Sequence, residues 1–284
     1  MSNGINARQN EENSIAMLAA QRQLYRDAKW FNILFIAFSV WVPFLLAVIL
    51  LFVPENVAWQ YASYIISIGS MVFSFVVDKW IDEKKELAAF IQQKFDVYVF
   101  SMPWNDRVFG QNRNVNHKIV ENSRKILSKQ EKESLYNWYT PAINNKNLLE
   151  GISFCQKENC WWDVGLRKRF RTISILMIIV LGMTVFILGL LNNESAAQLL
   201  GRFTFVVPMI SWLLNTVKQL NKDIKSLNVL DGIINDNKDK TMDDLQDIQR
   251  MIFEHRKGCY AIPDFIYKLF KDNDEDKAHR EAVM

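Results

Sequence analysis

The chain has 284 residues, half of them hydrophobic, and a formal net charge of +3. That allows a sizeable apolar core but gives no charge excess calling for a polyanion, so no DNA or RNA polymer is expected as a partner. The three cysteines, Cys155, Cys160 and Cys259, form no secreted disulfide framework and have no histidine cluster beside them, so neither a metal nor a cofactor is expected.

In chain order, residues 1–30 are polar and carry Glu11 and Glu12, too acidic a start for a signal peptide. They read as a cytoplasmic amphipathic helix. Residues 31–53 and 57–77 are then long and apolar enough to cross a hydrocarbon layer of roughly 30 Å. Only Pro54-Glu55-Asn56 joins them, which forces an antiparallel hairpin over residues 31–77. Residues 78–171 read as a cytoplasmic helical domain. A second hairpin, 172–217, has spans at 172–191 and 199–217, with Arg202 near enough to its helix start to reach the interface. Cytoplasmic helices over 218–270 and a charged, disordered tail over 271–284 complete the chain. The expected fold is an all-α membrane protein: four transmembrane helices as two hairpins, with a helical cytoplasmic region between spans two and three and after span four.

Basic residues orient the hairpins. Neither short connection holds Lys or Arg, whereas Arg22, Arg26 and Lys29, then Lys79, Lys84 and Lys85, flank the first hairpin. Arg167, Lys168, Arg169 and Arg171, then Lys218, Lys222 and Lys225, flank the second. All four clusters fall on one side, which places both termini in the cytoplasm. Soluble bundles alternate polar and apolar faces, but spans one and three are apolar all round.

Within the polar regions, Leu87, Phe90, Ile91, Lys94, Phe95 and Tyr98 continue span two inward at helical spacing, to a stop near Ser101 ahead of Pro103. Ser128 and Glu131 form a capping pattern for a helix expected to reach Trp138-Tyr139. Residues 148–171 run as a helix into span three. Val217, Leu220, Ile224 and Leu227 extend span four as a seam, and Thr241 with Asp244 starts a last helix ended by Gly258.

No catalytic constellation is visible, so no enzyme activity is expected. His117, His255 and His279 are isolated in sequence, and Asp82-Glu83 and Asp243-Asp244 read as solvated charges. Two patterns are unusual. Asn56, Gln60, Ser63, Ser67, Ser70, Ser74 and Asp78 recur every three or four residues, a polar stripe about 80° wide. Thr204, Ser211 and Asn215 repeat it on span four, beside Pro208. Such stripes either pack helices or line a water path, and Ser63, Ser67, Ser70, Ser74, Thr204, Ser211 and Asn215 are the candidate lining residues. Pro43 and Pro208 are candidate kinks. The second pattern is aromatic and polar: Trp104, Asn105, Trp138, Tyr139, Trp162, Asp163, Arg167 and Arg169 would suit a nucleotide, with rings to stack on bases and guanidinium groups for phosphates. On residue chemistry alone they read first as core and headgroup contacts.

These same segments resemble a known family, the four-transmembrane effectors associated with bacterial nucleotidyltransferases of the SMODS type. The likeness rests on Gln9-Asn10, the run 18–25, Phe95-Asp96, Pro103-Trp104-Asn105, Asn137-Trp138-Tyr139 and residues 155–169, in order around the spans. It implies an antiphage role. A partner enzyme makes a cyclic oligonucleotide messenger, and this chain, as a homo-oligomer in the bacterial inner membrane, answers by opening a pore that depolarises the cell. Other functions compatible with the topology are a regulated ion channel of bestrophin-like arrangement and a non-conducting scaffold.

Overall fold

A computed structural model of the chain describes residues 2–50, 57–125, 128–193, 195–236, 239–263 and 266. The connection at 54–56, the expected end of span one at 51–53, and the tail from Lys271 with His279 lie outside the described residues. So do the side chains of Gln60, Ser63 and Thr204. Among the described residues every regular element is helical.

After the short α1 (Ile5–Gln9), α2 (Glu12–Ile36) meets no glycine or proline and does not stop at the membrane. It passes through one π-turn, Ala37–Trp41, into α3 (Val42–Leu50), so the N-terminal helix and span one are continuous. The π-turn has a local cause. Pro43 lacks an N–H and its ring crowds the carbonyl one turn back, that of Ser39, and the wider turn relieves the clash. α4 spans Val57–Val99, 43 residues, and ends as expected just ahead of Ser101, whose φ of 53° reverses the chain before Pro103.

Short helices follow: α5 (Asp106–Phe109), capped by Asn105, α6 (Asn116–Ser123) and α7 (Lys129–Glu133), capped by Ser128. The expectation that α7 reaches Tyr139 is corrected. It ends at Glu133, Asn137 turns the chain at a φ of 53°, and Tyr139 drops into the core, 1% exposed. A 3-10 turn at Pro141–Asn145 leads to α8 (Leu148–Leu191), capped by Asn147, then α9 (Ala196–Ile234). α10 (Met242–Gly258) starts at a full capping box. Asp244 is therefore a cap that accepts from the Thr241 N–H, not merely a solvated charge.

α2 packs along α4, and α8 along α9, as two helix pairs; α10 clasps α4, α8 and α9 together. The seam residues Leu220, Ile224 and Leu227 are buried, with Leu230. The main core joins Leu18, Phe95, Phe100, Leu135, Tyr139, Ile152, Leu230 and Ile248. Each such side chain contributes roughly 1.5–3 kcal/mol by leaving water.

The far ends of the hairpins are built the opposite way. Ile65, Ile68, Met71, Val72 and Phe75 on α4, and Ile179, Val180, Leu190 and Leu191 on α8, are exposed. A helix surface apolar on all sides is costly in water and at home in lipid. Three helical stretches, Glu12–Leu46, Tyr64–Val99 and Leu148–Leu191, are long and apolar enough to cross a membrane. The segment expected as the fourth span lies on α9.

Candidate functional site

The membrane-distal core is organised by two buried ionic centres. The first is Asp96, fully buried on α4, which accepts from Tyr139 Oη at 2.6 Å, Gln249 Nε2 at 2.8 Å and Arg256 Nη1 at 2.6 Å. A carboxylate removed from water needs this density of partners. Burial, with Asp96 alongside, pushes the Tyr139 phenol well above its ordinary pKa, so it stays a donor. Tyr139 is also fixed through its backbone: Gln9 Nε2 donates to its carbonyl at 3.0 Å and its N–H donates to Gln9 Oε1 at 2.8 Å. Asn10 and Asn137 exchange a similar pair, each 2.9 Å.

The second centre is Arg167 on α8. Its Nε lies 2.9 Å from Asp163 and its Nη1 2.7 Å from Asp223 of α9, and Nη1 also donates to the Tyr260 carbonyl at 3.2 Å. His255 Nε2 meets the other Asp163 oxygen at 2.7 Å. Burial alone would raise the Asp163 pKa, but the Arg167 guanidinium and His255 more than offset it, and the carboxyl is held well below its usual range. His255, isolated in sequence, is thus part of a buried network.

Between these centres lies a cavity of about 250 Å³, the helix-junction cavity. Tyr25 and Lys29 from α2, Lys85 and Gln92 from α4, Asn159, Asp163 and Arg167 from α8, and His255 and Arg256 from α10 face it. A larger cavity of about 580 Å³ lies toward the membrane, between the hairpins. Its wall is neutral and polar over much of its extent: Asn32 and Ser39 from the first hairpin, and Ser211, Asn215, Thr216 and Gln219 from α9, with Asp78 and Asp82 on α4. Ser39 and Val40 come from the π-turn, and Pro208 stands beside them.

Lys85, Cys259, Tyr260 and Ala261 line both cavities. Residues 259–261 form an extended strap after α10, and it is tied to both hairpins. Asn32 donates to the Ala261 carbonyl at 3.2 Å, the Tyr260 N–H donates to Asp223 at 2.9 Å, and Arg167 holds the Tyr260 carbonyl. The Tyr260 ring lies against Phe170, and Ile262 packs with Phe170 and Leu220.

The sequence-nominated residues divide accordingly. Ser211 and Asn215 line the interhairpin cavity. Ser70 and Ser74 are buried against the first hairpin, Ser74 Oγ lying 2.6 Å from Ser39 Oγ, whereas Ser67 is exposed. Asp163 and Arg167 line the helix-junction cavity. Tyr139 is a core anchor, Trp138 packs at the core edge, and Asn105 caps α5. Trp104 donates to Asp106 and the Gly110 carbonyl and sits against Phe90 and Phe109, and Trp162 meets Trp161 edge-on. None of these five, nor Arg169, lines either cavity. Sequence reasoning missed Tyr25, Lys85, Arg256 and Tyr260. They sit on four separate segments; Tyr25 closes the run 18–25 and Lys85 belongs to a basic flank, but neither pattern marks a cavity.

The architecture defines a helical membrane protein with a polar cavity among its long helices. Residues 3–283 match the SMODS-associating 4TM effector domain, and the chain belongs to that family. It is 27% identical over 288 residues to a protein of Bacillus cereus (strain VD146) named "Probable CBASS effector molecule", covering 95% of this chain and 94% of the relative. No solved structure matches.

Proposed function

We propose that the protein is an antiphage effector of the bacterial inner membrane, with both termini cytoplasmic, that opens a pore when a cyclic oligonucleotide engages the helix-junction cavity through part of its backbone. The observation that carries the mechanism is the shared wall: the strap 259–261 separates the helix-junction cavity from the polar space between the hairpins. The relative's name supports the defence role, and the long helices α2, α4, α8 and α9 run from the cavity toward the membrane without a break beyond the π-turn.

A ligand shifts an equilibrium only by binding one state better than the other. A messenger engaging Arg167, Arg256 or Tyr260 competes with the bonds that hold the strap closed. Release of the strap then joins the two cavities, and the path continues past Ser211 and Asn215, with Ser63, Ser67 and Thr204 toward the far side in a homo-oligomer. A path lined largely by hydroxyls and amides makes a poorly selective pore.

Liposomes holding the purified protein should release a trapped dye only when a cyclic oligonucleotide from a panel is added. Leakage independent of every cyclic oligonucleotide, or none with any, sinks the reading. Selective single-channel currents without toxicity to cells would instead favour a regulated channel. Asn215→Cys in a Cys259→Ser background should react with a water-soluble thiol reagent faster once messenger is present.

A further inference from the structure

Among the described residues, four buried polar atoms without a hydrogen-bond partner belong to residues lining one cavity. Arg167 Nε is met as an ion pair by Asp163 at 2.9 Å, which leaves three, Tyr25 Oη, Arg256 Nη2 and Tyr260 Oη. Each buried donor left unmet is destabilising, so one orphan is a local accident and three around one space are a pattern. They come from α2, α10 and the strap, so no single strained segment explains them. Arg256 is especially telling. One prong of its fork, Nη1, is spent on Asp96 at 2.6 Å, while the other donates to nothing.

The charges have the same arrangement. Lys29, Lys85, Arg167 and Arg256 line the cavity with Asp163 as the single carboxylate. The other carboxylates that pair with these cations, Asp82 with Lys85, Asp223 with Arg167 and Asp96 with Arg256, stand outside the lining. The surroundings are therefore balanced, while the residues that line the cavity carry an excess of cations and the three unpartnered groups. Such a lumen suits a small acceptor-only anion. At about 250 Å³ the space falls just below the roughly 300 Å³ at which whole-ligand pockets begin, so it takes a fragment of a nucleotide.

We propose that the helix-junction cavity is an oxyanion site that grips one phosphodiester through Arg256, Tyr25 and Tyr260. The source of the phosphodiester rests on the messenger reading above; the chemistry of the site does not. Because Tyr260 belongs to the strap, a phosphate held by its hydroxyl pulls directly on the wall between the cavities.

The two hydroxyls allow a clean test, since Tyr25→Phe and Tyr260→Phe remove only unpartnered groups and leave the fold intact. The full chain in neutral phosphatidylcholine nanodiscs is titrated with a panel of cyclic di- and trinucleotides and with inorganic phosphate, reading the melting temperature. A parallel series uses nanodiscs containing phosphatidylglycerol. The expected result is a nucleotide-dependent rise whose half-saturating concentration increases about tenfold in each single variant, with unliganded melting unchanged or slightly higher. A rise confined to phosphatidylglycerol nanodiscs and abolished in the double variant upholds the oxyanion site but makes a lipid headgroup its occupant, and so counts against the messenger. Equal responses in wild type and double variant overturn the site even if messenger-triggered leakage is intact. No response to any phosphate-bearing probe overturns it as well.

Discussion

The membrane-distal core and the membrane hairpins solve the same problem, polar groups removed from water, in opposite ways. In the core the solution is charge. Asp96 with Arg256, and Arg167 with Asp163 and Asp223, are buried ions that each close on counter-ions and hydrogen bonds. In the hairpins it is neutral hydroxyls, with Ser74 bonded both to Ser39 and to the Ser70 carbonyl one turn back. The difference teaches where rigidity resides. An ion network tolerates no loss of a partner, whereas a hydroxyl can exchange its bond for another or for water at little cost. A protein that must hold one part still and let another part admit water is served by this division.

Substitutions should grade accordingly. Asp96→Ala or Arg256→Ala strands an unpaired buried charge, and each is expected to lower unfolding stability by about 3–5 kcal/mol, measured by denaturation in detergent. The double variant should lose less than the sum, because the two residues share one interaction. A loss below about 1 kcal/mol would erase the contrast between the regions.

Glu158 gives the next effect. Burial pushes its pKa up to about 7, against an accepted bond from the Thr140 N–H, and one of its oxygens has no partner. A carboxyl with a raised folded-state pKa favours the folded state while protonated, so its stabilisation is full below about pH 4.5 and is lost as pH rises through about 7. Glu158→Gln should therefore exceed the wild type at pH 8 by on the order of 2 kcal/mol and match it at pH 4, read from melting temperatures across that range. Gln9→Ala leaves the Tyr139 peptide unpaired and should cost about 1–3 kcal/mol. Smallest of all, Ser74→Ala should cost about 0.6 kcal/mol, as hydrogen bonds between membrane helices do. If it costs as much as Gln9→Ala, the hairpins are as rigidly specified as the core.

Three of the motifs that carried the family resemblance meet in one clasp. Gln9-Asn10 reads the backbone of Asn137 and Tyr139, and Tyr139 reaches Asp96 of Phe95-Asp96. As sequence the aromatic residues read first as core and second as a ligand surface, because an aromatic ring with a polar tip serves either role. Trp104, Trp138 and Tyr139 fell on the core side, and Asp163 and Arg167 on the cavity side. Arg256 gave no signal, since it sits in a basic last turn, His255-Arg256-Lys257, that any helix C-terminus would carry.

Local physics was sufficient for what depends on a residue and its near neighbours. Run length against bilayer thickness marked the three helical stretches long and apolar enough to cross a membrane, capping residues marked the start of α7 and α10, and the seam at 220, 224 and 227 marked the buried face of α9. Tertiary structure alone decided what depends on distant segments meeting: the pairing of Arg167 with Asp223, the strap of residues 259–261 shared by two cavities, and the unpartnered hydroxyls of Tyr25 and Tyr260 brought to one space. The reason is periodicity. A helix repeats its environment every three or four residues and so writes its face into the sequence, whereas a site assembled from four helices and a strap repeats nowhere along the chain.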